Sequence, residues 1–495
     1  MNPYAVILLL LISAWVTYKF QKDISAGVHW VLGLLVFLPT WIKIETGIAY
    51  LNVHRILILI AFVFLIRYRT PDCKPRPIPN LGLLLLFGLS QLVSVLLGTE
   101  FASGLKGITS YGIEVVLFYV IMSRFVQAET SIVPLLTSFC YGLGAVAVLA
   151  AVEKYRGVNM LGNIVPPSQV HPEQSNMITS TYSHRIMLGY AMVMGAALAL
   201  PLSIFREGAR PRRVMFAILL LLVAAAYFST SRGPWLGLAI AVLGLAALGG
   251  PSLRRKLLVT ALLAAAVLIW RPGVRESISD RMLSTFVEDS VEADSYQTRW
   301  QLWDIAWTEI QKSPERLLFG YGPMSTEHMN LEHYFYGQEG WSSSVQALGY
   351  TSWDNNLACD LIELGVVGLA LELALFATIM AQLLANYRVS LPQQRILPAG
   401  IIVACLVFMF ATTNVFIFSP QLKFLFWALV AIGSNRAEPE PAAALAEAAA
   451  DLDQEPQPTP AESPSAAHVT SARSSLIPCR CPQPTEARLA HRLIC

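Results

Sequence analysis

Apolar residues run along this chain in blocks of about 15 to 22, the length a helix needs to cross a bilayer. The blocks fall at 3–19, 26–43, 53–68, 80–97, 108–126, 131–152, 186–204, 213–229, 234–249, 255–270, 356–385, 396–413 and 420–434. They predict an all-α polytopic bundle of 12 to 13 spans. The short alternating segments of a transmembrane β-barrel do not appear in this pattern. The first block lacks a basic leader and a small-residue cleavage site, so it reads as a span or anchor.

Composition agrees. Of 495 residues, 55% are hydrophobic and only 14% charged, against about a quarter charged in soluble domains. The net charge of +2 says little; its distribution says more. Lys and Arg cluster in the short loops 67–76, 206–213, 254–256 and 386–395. With the spans above, all four share one face, which the positive-inside rule makes cytoplasmic. The loop 153–185, the Ser229–Pro234 turn, the long loop 271–353 and the Thr412–Pro420 turn then face outward. Residues 1–435 form the membrane domain with 271–353 inserted. The tail 436–495, rich in Ala, Pro, Ser and Glu, is expected to be disordered and cytoplasmic.

Seven scattered cysteines show no metal-ligand spacing. His328 and His333 beside Glu327 and Glu332, and His171 and Glu173, read as exposed loop polarity. No metal or cofactor, and no nucleic-acid partner, is expected.

One arginine is out of place. Arg232 in "STSRGPWLGL" lies between two uncharged apolar runs. Gly233 and Pro234 break the chain there, which puts Arg232 at the outer interface, beside Ser231 and the N-terminus of the next helix. An arginine, hydroxyls and a helix N-terminus suit phosphate oxygens. The plainer reading is a snorkelling anchor. In the long loop, Trp300, Trp303, Trp307 and Ile310 recur on one helical face. This predicts an interfacial helix starting at Arg299 through a T-x-x-Q capping box and ended by Pro314. Arg299 would sit at headgroup height; Arg299, Asp304, Thr308 and Glu309 would face away from the stripe. The alternative is a helix packed on the loop's own core. Gly320 and Gly322 in "GYG" mark a close backbone approach, and His184 could line the same pocket.

The span after the loop opens "SWDNNLACDLIELG". Asp354 is either an N-cap or a general base at the membrane surface. Asp360 and Glu363 lie deeper; on a straight helix Glu363 is about 13 Å below Asp354. Charges at that depth face a bundle interior. Glu114 is another such charge.

Taken in order, "TSRGPWLG", "TRWQLWDIAW…P…FGYGP" and "DNNLACDLIELGVVGLAL" resemble the O-antigen ligase and O-antigen polymerase superfamily over roughly 180–435. The resemblance implies a GT-C-like inner-membrane glycosyltransferase of surface polysaccharide or lipopolysaccharide assembly. Its donor would be an undecaprenyl diphosphate-linked glycan, its acceptor a sugar hydroxyl, and its active site periplasmic. Arg232 and Arg299 would grip the diphosphate, Asp354 would activate the acceptor with Asn355 in support, and Glu363 would order the pocket floor. Ser231, Gly320, Gly322 and His184 would complete the substrate site. Ligases of this type carry His-Asn where this chain has Asp354-Asn355, which favours a polymerase over a ligase acting on lipid A core. A flippase and a chain-length regulator are the expected partners. The reading from another class is a transporter or flippase of the same lipid-linked sugars.

Overall fold

The computed structural model describes residues 3–39, 42–45, 50–67, 76–128, 131–159, 178–270, 276, 279, 291–329, 353, 355–391, 394–414 and 419–435. Contacts divide the chain into Met1–Ala437 and Glu438–Cys495. The second unit lies outside the described residues, so the expected disordered tail is not part of this description.

Every predicted block coincides with a helix. The first half comprises α1 (Pro3–Lys22), α2 (Ile24–Phe37), α3 (Val53–Arg67), α4 (Leu81–Leu97), α5 (Phe101–Tyr111), α6 (Phe118–Ala128) and α7 (Val133–Arg156). The second comprises α8 (Arg185–Phe205), α9 (Ala209–Phe228), α10 (Arg232–Leu248), α11 (Pro251–Trp270), α12 (Val291–Ile310), α13 (Pro314–Phe319), α14 (Asn356–Val389), α15 (Ile396–Thr412) and α16 (Pro420–Ser434). Among the described residues, five helices are long and apolar enough to cross a membrane, and shorter apolar helices accompany them. The protein is an all-α polytopic membrane bundle. Helix α8 is its axis: every residue from Met187 to Ser203 is buried, as expected of a helix apolar all round and surrounded by others.

Hydrogen bonds sort the loops into two ends. At one end the Thr99 N–H donates to the Tyr321 carbonyl. There Gln421 Nε2 bonds the carbonyls of Leu38 and Thr181, and Arg299 bonds Asn414. At the other end Arg124 bonds Arg76, Asn80 bonds Gln382, Lys256 bonds Ser203 and Tyr387 bonds Leu248. The basic loops 206–213 and 254–256, and the described residues of 67–76 and 386–395, belong to this second end. The described candidate site residues belong to the first.

Several details differ from the sequence reading. The block 26–43 stops at Phe37; Lys43–Glu45 and Tyr50–Asn52 form a short antiparallel hairpin, β1 and β2. A π-helical turn, Gly112–Leu117, joins α5 to α6 and carries Glu114. Helix α12 starts at Val291, well before the expected Arg299. Pro314 does not end it. Ser313 accepts from the Arg316 N–H and Pro314 begins α13, the ordinary place for proline in a first turn. The predicted stripe is split between two environments, with Trp303 packed against a small core that includes Ile310. Leu302, Ala306 and Ile310 are fully buried and Glu309 nearly so, while Trp300 and Trp307 are 60% and 48% exposed. Finally, the span from 356 breaks at Gly365 (φ +67°, ψ −170°).

Candidate functional site

The turn that carries Arg232 is tight. Helix α9 ends at Phe228, Ser229 folds its hydroxyl back onto the Ala226 carbonyl at 2.7 Å, and Thr230 takes a left-handed φ of +49°. Ser231 is the N-cap of α10 but makes no side-chain capping bond. Arg232 is therefore the first helical residue rather than a loop residue. Helix α8 lies directly beneath. A β-carbon on Gly189 would fall 2.5 Å from Pro234 Cγ and 2.8 Å from Ser229 Oγ, so only glycine lets α8 approach.

Tyr190 follows Gly189 and lies along α10. Its ring edge meets Gly237, where a β-carbon would be 3.2 Å away, and its hydroxyl meets Gly233, at 2.7 Å. The ring thus points from the body of α10 towards its N-terminus. Arg299 of α12 lies within electrostatic range of the same phenol. Arg299 Nε also donates to the Asn414 carbonyl at 3.1 Å, which ties α12 to the end of α15. Tyr190 is thus the meeting point of the Arg232 turn and Arg299. His184 caps α8, its Nδ1 accepting from the Ile186 N–H at 3.2 Å. It stands about 7.5 Å along the helix axis from Gly189, at 1.5 Å per residue.

Helix α12 connects this region to the start of α14. Leu302, Ala306 and Ile310 share a small core with Trp353, Ala358, Cys359 and Ile362. This core lies one turn beyond Arg299 and adjoins Asn355. Asn355 is the N-cap of α14: its Oδ1 accepts from the Ala358 N–H at 3.2 Å and its carbonyl from the Cys359 N–H at 3.1 Å. The capping role considered for Asp354 is therefore filled one residue later. Asp354 itself lies outside the described residues, as do His171, Glu173, Glu332 and His333. His328 Nε2 stands 2.8 Å from Ser103 Oγ.

The close approach read from the GYG segment is made to protein backbone. Tyr321 N–H donates to the Ile362 carbonyl and Gly322 N–H to the Glu363 carbonyl, both at 2.9 Å. A β-carbon on Gly320 would lie 2.4 Å from the Ile362 oxygen. Ser94 of α4 donates its hydroxyl to the Glu363 carbonyl at 2.6 Å. These bonds satisfy carbonyls that the break at Gly365 leaves without helical partners. The Glu363 carboxylate is buried and accepts from the Thr326 hydroxyl and from the N–H groups of Met324 and Thr326. The segment 318–329 is thereby strapped to the broken helix, and Glu363 orders that strap.

The break brings two further carboxyls together. Asp360 hydrogen-bonds Glu372, with Lys423 close by and the Asn356 side-chain amide also on Asp360. Twelve residues span about 18 Å on a straight helix, so this contact requires the sharp bend at Gly365. Glu114 is answered elsewhere: Arg55 Nε pairs with it at 2.8 Å, and Arg55 also bonds Ser110.

Sequence reasoning missed Tyr190, Ser94 and Thr326. Tyr190 had a faint signal, the pair of glycines at 233 and 237 that clears one face of α10. Ser94 and Thr326 had none.

Residues 216–373 match the family model described as O-antigen ligase. A search of curated proteins found no match to the chain. The matched segment contains Arg232, Arg299, the strap and the whole first arm of α14.

Proposed function

With the O-antigen ligase match over residues 216–373 as premise, we propose that this multi-pass protein is a glycosyltransferase. It moves a glycan from undecaprenyl diphosphate to a sugar hydroxyl during assembly of a surface or exported polysaccharide. The observation that carries the reading is the convergence of the Arg232 turn and Arg299 on Tyr190. Two guanidinium groups and a helix N-terminus suit a diphosphate, whose negative charge grows as it leaves. In this reading Asp354 takes the proton of the acceptor hydroxyl. The hydroxyl oxygen attacks the anomeric carbon. The bond from that carbon to the diphosphate oxygen breaks, and the carrier departs with the electron pair. Asn355 fixes the helix end beside Asp354, and Glu363 fixes the strap.

The aspartate at 354, in place of a histidine, supports a polymerase acting on another lipid-linked repeat rather than a ligase acting on lipid A core. The basic loops at the far end of the bundle support a site facing the periplasm from a bacterial inner membrane. A flippase and a chain-length regulator fit as partners of such an enzyme.

The break at Gly365 favours a second reading, since transporters build substrate sites from interrupted helices. Here, however, the carbonyls of Ile362 and Glu363 are taken by Tyr321, Gly322 and Ser94, which leaves them poorly placed to coordinate cargo. The experiment is a pair of variants, Arg232→Ala and Arg299→Ala, in cells that make the polymer. Polymer yield should fall by about 100-fold or more, the scale for removing a preorganised charge contact in a transition state. Unchanged polymer length and yield in both would reject the transferase. Repeat units trapped on the inner leaflet would favour the transporter.

A further inference from the structure

Tyr190 has a feature that packing alone does not explain. The residue is fully buried, yet its hydroxyl has no hydrogen-bond partner among the described residues. Buried hydroxyls are almost always paired. A phenylalanine would fill the same slot over Gly233 and Gly237 and meet Phe410 edge to face equally well, with the ring centroids 6.4 Å apart. The oxygen is aimed at the first turn of α10, next to Arg232, and lies within the field of Arg299. All three groups offer hydrogens or positive charge. The phenol hydroxyl itself lacks an acceptor among the described residues.

We infer that the Tyr190 hydroxyl is a third donor to the diphosphate oxygens of the lipid-linked substrate, alongside Arg232 and Arg299. The inference rests on the transferase reading above and adds a residue to its site. The chemistry fits the position. A phenol can donate one hydrogen bond to a phosphate oxygen without adding charge. It is fixed by ring packing, so little side-chain freedom is lost when the ligand arrives. Gly233 matters for the same reason. Any side chain there would collide with the phenol oxygen and push it from the helix N-terminus.

The test uses the full-length protein in lipid nanodiscs, with undecaprenyl diphosphate and undecaprenol as probes and Tyr190→Phe as the variant. Tyr190→Phe should weaken binding of the diphosphate by about ten-fold or more, the range for a hydrogen bond to a charged group. Binding of undecaprenol, which has no phosphate, should not change. The ligand-free melting temperature should not fall, because the variant removes an unpaired oxygen and no contact. Equal weakening towards both probes would assign Tyr190 to packing and overturn the inference. Diphosphate affinity within two-fold of the parent, while Arg232→Lys and Arg299→Lys lose theirs, would overturn it and leave the arginine site standing. If all three variants bind the diphosphate as the parent does, the transferase site itself fails, and the inference with it.

Discussion

Gly365 and Leu318 meet backbone to backbone: a β-carbon on the glycine would lie 2.5 Å from the Leu318 carbonyl carbon and oxygen. The same glycine holds φ at +67°. Two independent constraints, a close approach and a left-handed φ, thus coincide at the point where α14 breaks.

Gly365→Ala should therefore be far more damaging than an average glycine substitution. The positive φ alone costs an alanine about 1–2 kcal/mol, and the neighbour is backbone, which cannot rotate away. Gly320→Ala faces the same pair of penalties, with φ +69° and the Ile362 oxygen at 2.4 Å. Both variants should lower the melting temperature of the purified protein and expose the strap to protease. Gly82→Ala meets no atom within 4 Å and should do neither. If Gly365→Ala melts like the parent, the strap does not hold the break.

The Glu363 carboxylate tests the strap from its other side. It accepts from one hydroxyl and two backbone N–H groups. Glu363→Gln replaces one acceptor oxygen by a donor that faces existing donors. It should cost about 1.5–3 kcal/mol, the scale of a bond to a charged group. Thr326→Val removes a single hydroxyl partner and should cost less. Hydrogen exchange at Met324 and Thr326 should quicken in both, and more in Glu363→Gln. Equal exchange in parent and Glu363→Gln would remove Glu363 from this role.

Much of this was legible in the sequence, and the reason is the bilayer. Thirteen blocks predicted thirteen helical segments because a spanning element must satisfy its own backbone. The Arg232 turn was legible because an arginine between apolar runs is expensive anywhere but an interface. The tryptophan stripe was legible only in part. Spacing showed that α12 has faces, but Trp300 and Trp307 are apolar enough to be tolerated outside while Leu302 and Ala306 fill the core. The break at Gly365 was hidden because one glycine in a long apolar run reads as a tolerated residue. Only the strap that approaches it, 40 or so residues upstream, distinguishes the two cases, and no local pattern reports such a partner.

Arg55 and Glu114 form a buried pair inside the first half of the bundle, each under a tenth exposed. Removing one partner should destabilise by about 3–5 kcal/mol, since the other is left as a buried charge. Replacing both by methionine should restore much of the loss. The double-mutant cycle of Arg55→Met and Glu114→Met, read by thermal melting, should therefore be strongly non-additive. Additive losses would mean that the two side chains act separately.

Asp354 and Asn355 should separate cleanly. Asn355 caps α14, so Asn355→Ala should lower stability by about 1 kcal/mol, and Asn355→Ser should recover most of it. Asp354 is proposed as the base. Asp354→Asn should leave the melting temperature unchanged while lowering turnover by about 10²–10⁴, the usual contribution of a positioned general base. Full activity in Asp354→Asn would remove it as the base.

The direction of the bundle can be checked with thiol chemistry. Trp300 is 60% exposed at the end that holds Arg232, and Leu391 is 63% exposed at the end that holds the basic loops. Cys140, Cys359 and Cys405 are buried; Cys73, Cys479, Cys481 and Cys495 would be replaced by serine. A membrane-impermeant maleimide applied to spheroplasts should label Trp300→Cys at once and Leu391→Cys only after lysis. The positive-inside distribution requires this order. A diphosphate carrier whose glycan has already crossed the membrane can be used only from the Trp300 side. The reverse order would put Arg232 and Arg299 in the cytosol and end the case for polymer assembly outside it.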